Sequence, residues 1–306
     1  MPRIVVTEFM DEAPLALASD HEVTFDPELH ADRSRLLAAV ADADAVIVRN
    51  KTRVDTELLD AAPGLRVVGR LGVGLDNIEM DACAERGVVV RPATGANAIA
   101  VAEWVLGAML VLRRGVFGAT DRIVGGEWPR TELLGAELHG ATLGLVGYGG
   151  IAREVANRAA AFGMRIVAND PFVPQDADWA PAAPASLDGV LGGSDVISLH
   201  VPLTEETRGL IDMGAIALMK DSAIVLNSSR GGIVDESAVV AALHAGKLGG
   251  AALDVLVEEP PSADRVGMYL DVPNLLISPH VAGITHEANA RVSQVTVEAV
   301  LEELAR

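Results

Sequence analysis

The chain reads as an α/β protein made of two parallel sheets, each covered by helices on both faces. Three observations predict this. Short apolar strands alternate with helical stretches through residues 4–91, and a second alternation runs from residue 142 to residue 278. Such βα alternation forces parallel pairing, because each helix returns the chain to the edge where the previous strand began. Finally, 306 residues are too many for one comfortable core and enough for two.

In the first half the strands fall at residues 4–7, 23–25, 45–49, 65–69 and 88–91, with helical stretches at 13–18, 32–41, 55–61 and 80–85. Residues 97–114 then read as one long helix, apolar on most sides and therefore buried against something. Residues 115–140, with Trp128-Pro129, form an irregular excursion suited to embracing a partner. Strands follow at 142–146, 165–169, 195–201, 223–228, 250–254 and 275–278. Asp235 is placed to cap a helix over 236–245 that Gly246 stops. Residues 171–184 are a proline-rich loop. A final amphipathic helix covers 285–306, with Ala288, Val292, Val295 and Ala299 as its apolar stripe.

Residues 141–171, ATLGLVGYGGIAREVANRAAAFGMRIVANDP, form a complete strand, turn, helix and strand. Gly147, Gly149 and Ala152 fill the three small-residue places of a dinucleotide-binding turn: one for the tight bend, one for close approach of a pyrophosphate, one for packing of helix on strand. The helix start offers unpaired N–H groups and a partial positive charge to phosphate. Asp170 ends the second strand about 20 residues further on, where a carboxylate accepts both adenosine ribose hydroxyls and repels a 2′-phosphate. Asp176 and Asp178 follow, with no Arg or Lys between Arg165 and Arg208. The cofactor expected is NAD.

Half of the residues are hydrophobic, so the chain is a packed globular one. A net charge of −19, with Lys51, Lys220 and Lys247 the only lysines, argues against nucleic acid. The longest apolar run, 101–112, carries Glu103 and is well short of the roughly 20 residues a membrane crossing needs. A strand so near the first Met leaves no room for a leader, and Cys83 alone allows no intrachain disulfide. The expectation is a soluble cytoplasmic protein with Cys83 as a buried small side chain. No His and carboxylate cluster has metal-ligand spacing, so no metal is expected.

Seven stretches, VVGRLGVGLDNI (67–78), NAIAVAEWV (97–105), LGLVGYGGIA (143–152), LHVPLTEET (199–207), LNSSRGGIVDE (226–236), AALDVLVEEPP (251–261) and ISPHVAGITHEA (277–288), stand in sequence order across nearly the whole chain. Each resembles a motif of the D-2-hydroxyacid dehydrogenase family, which includes the D-lactate, D-glycerate and D-3-phosphoglycerate dehydrogenases. The resemblance implies two Rossmann-like or flavodoxin-like domains with the active site in the interdomain cleft. A substrate domain would take residues 1–96 plus 285–306, and an NAD domain residues 97–284. It also implies a homodimer formed through the helix and excursion at 97–140.

Hydride transfer to a 2-oxo acid needs a cation for the carboxylate, a proton donor for the carbonyl oxygen and a group that holds the donor. The resemblance assigns these roles to Arg230, His280 and Glu259. Arg230 and His280 each follow a strand end, where open α/β sheets place ligands. Glu258 rivals Glu259, but the family's acid directly precedes proline. Leu256 replaces the family's usual aromatic residue, and Val257 stands where an acid is common. The cofactor set implied is Gly147, Tyr148, Gly149, Gly150, Ile151 and Asp170 at the turn, His200, Pro202 and Thr207 on the adenine side, Ser229, Asp254 against the nicotinamide carboxamide, and Gly283 near its ring. For the substrate, Val73 and Gly74 resemble the loop whose N–H groups receive the carboxylate, and Asn97 a residue at the domain crossover.

Arg49-Asn50-Lys51-Thr52 closes one strand of the first half and Arg70 closes the next. If their cations meet, the substrate carries a second anion, phosphate, sulfonate or carboxylate. D-3-phosphoglycerate and sulfolactate then rank first. The other reading leaves Lys51 and Arg53 in solvent with only Arg49 turned inward, and allows monoanionic acids such as lactate, hydroxypyruvate or glyoxylate. No long C-terminal extension for serine feedback is expected. A formate dehydrogenase resembles this chain with Gln in place of Glu259, and an NAD-sensing corepressor can keep the whole Arg, Glu and His set.

Overall fold

The computed structural model describes residues 1–306. Its contacts divide the chain into two compact units, Met1–Asn97 with Ile284–Arg306, and Ala98–Gly283.

The first unit contains β1 (Arg3–Val6), β2 (Glu22–Phe25), α1 (Arg33–Val40), β3 (Ala45–Val48), α2 (Thr56–Ala61), β4 (Val67–Arg70), α3 (Met80–Glu85) and β5 (Val89–Pro92). Its strands are all parallel, in the order β2-β1-β3-β4-β5, the flavodoxin-like arrangement. Side chains alternate between two cores. Val5, Val46, Val48 and Val68 meet Leu36 and Val40 of α1, Leu58 and Leu59 of α2 and Cys83 of α3. Burial pushes the Cys83 thiol pKa up and leaves it an inert packing group.

The second unit opens with α4 (Ala98–Arg114) and a short α5 (Thr120–Val124) inside the excursion. There follow β6 (Thr142–Val146), α6 (Gly150–Ala161), β7 (Arg165–Asn169), β8 (Ala183–Pro184), α7 (Leu187–Gly193), β9 (Val196–Leu199), α8 (Met213–Leu218), β10 (Ala223–Asn227), α9 (Glu236–His244), β11 (Leu248–Leu253), α10 (Ala263–Tyr269) and β12 (Leu275–Ile277). The sheet order is β12-β11-β10-β9-β6-β7-β8, all parallel. Strand order reverses at β6, which makes the gap between the ends of β6 and β9 the topological switch point. Leu143, Leu145, Ile224 and Leu226 face α4 and α6, whereas Ile197, Leu199, Ala223 and Val225 face α8 and α9. Both faces are covered, so β9 and β10 are apolar at nearly every position.

The chain then returns to the first unit as α11 (His286–Leu304), capped by Thr285, whose hydroxyl accepts the Ala288 N–H at 3.0 Å. Its buried face is Ala288, Val292, Ser293, Thr296, Val297, Val300 and Leu304. This corrects the expected stripe, because Val295 is 37% exposed. Hydroxyl groups hide the true face from a hydrophobicity pattern. Thr296 donates to the Val292 carbonyl at 2.8 Å, and Ser293 accepts the Asp11 N–H at 2.9 Å, so both are buried without an unmet hydrogen bond.

Gly69 of β4 is where α11 comes closest. A Cβ there would stand 2.6 Å from Val300 Cγ2 and 2.8 Å from Thr296 Cγ2, and β-branched side chains have little rotamer freedom to yield. Gly69→Ala is therefore expected to destabilise the protein by about 1–3 kcal/mol, the range for overpacking a filled core. Urea unfolding monitored by circular dichroism measures this, and an unchanged midpoint would show that the helix can shift freely.

Candidate active site

The glycine turn lies at the switch point of the second unit. Gly147 has φ +86°, and a Cβ on it would lie 2.4 Å from the His200 carbonyl oxygen, so no larger residue fits where the ends of β6 and β9 meet. A Cβ on Gly149 or Gly150 would meet nothing within 4 Å. Ala152 is fully buried beneath them. A tight turn, an open approach to the α6 N-terminus and a small packing residue are what a dinucleotide pyrophosphate requires, and these residues fit NAD.

Asp170 follows β7 and accepts the N–H groups of Tyr148 at 2.8 Å and Phe172 at 2.9 Å. Tyr148 lies on the turn with its side chain directed inward. Its N–H is engaged by Asp170, and its ring is 1% exposed and stacked on Trp179 at 5.2 Å. Its hydroxyl donates to the Trp179 carbonyl at 2.7 Å, and the Arg153 guanidinium sits 4.5 Å over the ring. Tyr148 thus holds the turn from inside the core. Gly150 and Ile151 begin α6.

On the β9 side, burial pushes the His200 pKa down to about 4, so the ring is neutral at physiological pH; its Nε2 pairs with Ser198 Oγ at 2.9 Å. Thr207 Oγ1 donates to the Pro202 carbonyl at 2.6 Å and closes the Pro202 to Thr207 turn. Ser229 Oγ donates to the Leu199 carbonyl at 2.6 Å, so its hydroxyl ties the ends of β9 and β10 together.

Three loops at the carboxyl ends of β10, β11 and β12 carry the charged groups. Arg230 lies after β10, with Nη1 donating to the Ser229 carbonyl at 2.6 Å and its own carbonyl accepting from Asn227 Nδ2 at 2.9 Å. His280 Nδ1 meets Glu259 Oε2 at 2.7 Å, and Glu259 Oε1 accepts the Leu256 N–H at 2.9 Å. Glu258 points elsewhere, accepting from Ser262 Oγ at 3.1 Å. The His280 backbone is left-handed, φ +56°, with its N–H donated to the Asp254 carbonyl at 2.8 Å.

Asp254 is 1% exposed. It accepts Ser278 Oγ at 2.5 Å and the Val281 N–H at 2.9 Å on one oxygen, and the Ala282 N–H at 2.8 Å on the other. Trp104 Nε1 of α4 donates to Ser278 Oγ at 3.1 Å. These contacts make Asp254 the anchor of the segment that carries His280, a role for which the sequence did not single out Ser278 or Trp104. Gly283 closes that segment. The missed signal was the hydroxyl beside the proline in Ser278-Pro279-His280.

In the first unit, Glu8 is 3% exposed and accepts four successive N–H groups, from Arg49, Asn50, Lys51 and Thr52, at 2.8–3.2 Å. Burial works against its charge, but the donors from Thr52, Arg49 and Lys51 outweigh it and hold the carboxyl below the usual carboxylate range. Arg49 Nη1 donates to the Phe9 carbonyl at 3.2 Å and to Asn289 Oδ1 at 3.0 Å. Arg70, also buried, donates to the Leu71 carbonyl at 2.7 Å. Lys51 and Arg53 are exposed. Val73 and Gly74 lie half-buried in the turn after β4, and Asn97 Oδ1 is buried without a hydrogen-bond partner.

A nucleotide turn with its acid and an Arg, Glu and His set on neighbouring strand ends define an NAD-dependent oxidoreductase acting on a CH–OH group. The sequence profile described as "D-isomer specific 2-hydroxyacid dehydrogenase, NAD binding domain" matches residues 106–282. The (S)-sulfolactate dehydrogenase of Chromohalobacter salexigens is 53% identical over 307 residues, covering 99% of both chains. The D-3-phosphoglycerate dehydrogenase of Archaeoglobus fulgidus is 39% identical over 98% of this chain and 56% of that longer one. The Aquifex aeolicus D-lactate dehydrogenase structure with NAD and lactic acid matches with a TM-score of 0.86 and 29% identity over 99% of this chain and 97% of that one. The chain belongs to the D-isomer-specific 2-hydroxyacid dehydrogenase family, and its cofactor is NAD.

Two outcomes follow for the site. Asp170→Ala removes the anchor of the Tyr148 N–H and the carboxylate expected at the ribose, so the KM for NADH is expected to rise by about tenfold or more, which steady-state kinetics checks. The Glu8 pKa is depressed in the fold, so its stabilisation is present above the unfolded carboxylate pKa and lost as pH falls through the folded value. The urea midpoints of the native protein and Glu8→Gln should thus be furthest apart at neutral pH and converge in acid; a pH-independent gap would contradict this.

Proposed function

We propose that this dehydrogenase interconverts a small D-2-hydroxy acid carrying a second anionic group with its 2-oxo acid, a sulfolactate-type substrate ranking first. The observation that carries the proposal is the 53% identity, over essentially full length, to an enzyme named for (S)-sulfolactate. That stereochemical label agrees with a D-specific family. In lactate the carboxylate outranks the methyl group, whereas in sulfolactate the sulfur-bearing carbon outranks the carboxylate, so the same spatial arrangement changes from R to S.

Arg230 binds the substrate carboxylate with its planar fork and polarises the adjacent carbonyl. When bound, NAD would supply the hydride acceptor or donor for the substrate's C2. His280, held through Nδ1 by Glu259, presents Nε2 to the carbonyl oxygen and gives its proton as that oxygen becomes the hydroxyl; in the oxidation direction it takes the proton back. Glu259 keeps the ring in the orientation and tautomer that this transfer needs. In this reading the N–H groups of Val73 and Gly74 receive the carboxylate, Asn97 offers its amide to the substrate, and Arg49 takes the second anion. Arg49 suits that role because Phe9 and Asn289 hold it at the end of β3.

The assembly we propose is a homodimer through α4 and the excursion after it, which leaves Phe117, Val124, Trp128 and Leu134 between 62% and 83% exposed in one chain. We place the enzyme in the cytoplasm, acting on small anions and on neither nucleic acid nor membrane. No helix is long and apolar enough to cross a membrane, and the single cysteine suits a reducing compartment.

NADH oxidation across sulfopyruvate, phosphohydroxypyruvate, oxaloacetate, hydroxypyruvate and pyruvate tests the substrate. The expected result is a preference for one dianion. Arg49→Ala should raise the KM for that dianion by about tenfold, as loss of a charge-assisted contact does, and leave pyruvate nearly unchanged. Equal losses on both would remove the second-anion assignment, and silence across the panel with NADH still bound would favour a sensor over an enzyme.

A further inference from the structure

Glu236 begins α9, a position where an acid ordinarily faces water, yet it is 4% exposed. Its Oε1 accepts the Val257 N–H at 2.7 Å. Its Oε2 accepts Arg265 Nη2 at 2.5 Å and the Tyr269 hydroxyl at 2.6 Å, both from α10. Burial, and then the hydrogen bond to Glu236 and its charge, push the Tyr269 pKa up to about 12, so the hydroxyl stays a donor.

Val257 belongs to the loop between β11 and α10 that also carries Glu259. The peptide joining Leu256 to Val257 is gripped from a second side by Gly231, next to Arg230. A Cβ at Gly231 would stand 1.9 Å from the Leu256 carbonyl oxygen and 2.8 Å from Val257 N. The Leu256 N–H in turn holds Glu259 Oε1, whose other oxygen meets His280. A continuous path of short contacts therefore leads from Glu236 to the imidazole. We propose that Glu236 is a positioning residue: by fixing the Leu256–Val257 peptide it aims Glu259, and through Glu259 it sets the orientation of His280. The inference rests on the reading of His280 and Glu259 as the proton-transfer pair.

A double-mutant cycle separates positioning from general support of the fold. The variants are Glu236→Gln, Glu259→Gln and their combination, assayed for kcat with sulfopyruvate or the best oxo acid of the panel, with NADH affinity followed by fluorescence. Glu259→Gln should lower kcat strongly. Glu236→Gln should lower it about tenfold, within the range for residues coupled in one network, with NADH affinity unchanged. In the Glu259→Gln background the Glu236 change should cost nothing further, because the group it aims is already disabled. Tyr269→Phe, a milder loosening of the same carboxylate, should reproduce the pattern at smaller size and decides the matter if Glu236→Gln does not fold. Equal fold-losses in both backgrounds would overturn the positioning role and leave the proton pair standing. A Glu259→Gln enzyme with near-native kcat would overturn the proton pair and the inference with it.

Discussion

Asp254 carries a carboxylate into the interior of the second unit, where Ser278, Val281 and Ala282 all donate to it. An uncompensated charge there would be strongly destabilising, so the three donors are fixed by the requirement that the ion be satisfied. They come from the segment after β12, and Asp254 itself follows β11. One buried ion therefore dictates how two strand ends meet, and His280 lies between two of its donors. Glu259 reaches the imidazole from the next loop because that loop is anchored in its own right.

The same device recurs. Glu8 gathers four successive N–H groups after β3, Asp254 gathers the segment after β12, and Glu236 holds the peptide after β11. Loops at the carboxyl ends of parallel strands are the places where chemistry is done, and they lack a ladder of their own to stiffen them. A buried carboxylate with several backbone donors supplies that stiffness. In a chain of net charge −19, some acids thus act as internal fasteners rather than as surface charge.

Local features were legible in the sequence and remote ones were not. The strands at 142–146 and 165–169 have the limits read from pattern alone, because glycines end the turn and the helix between them. The Asp235 cap acts within three residues and was equally plain, whereas Thr285, read as the first helical residue, proves to be the cap of α11. Glu8 and Glu236 find their partners some 20 to 40 positions away, and nothing local in the sequence marks them. Tyr148 stands in the glycine turn, and nothing local foretold that its ring would face inward on Trp179. On α11, buried hydroxyls rotated the packed face away from the apolar pattern.

The central claim is that His280 is the proton donor and acceptor for a hydride transfer at the substrate's C2. Single-turnover reduction of the preferred 2-oxo acid by His280→Ala tests it most directly, with NADH affinity measured on the same sample. The account predicts a rate lower by about 10²–10⁴-fold, the usual contribution of a positioned acid–base group, with NADH bound as tightly as by the native enzyme. A rate within a few-fold of native would contradict it and move the proton transfer to another group.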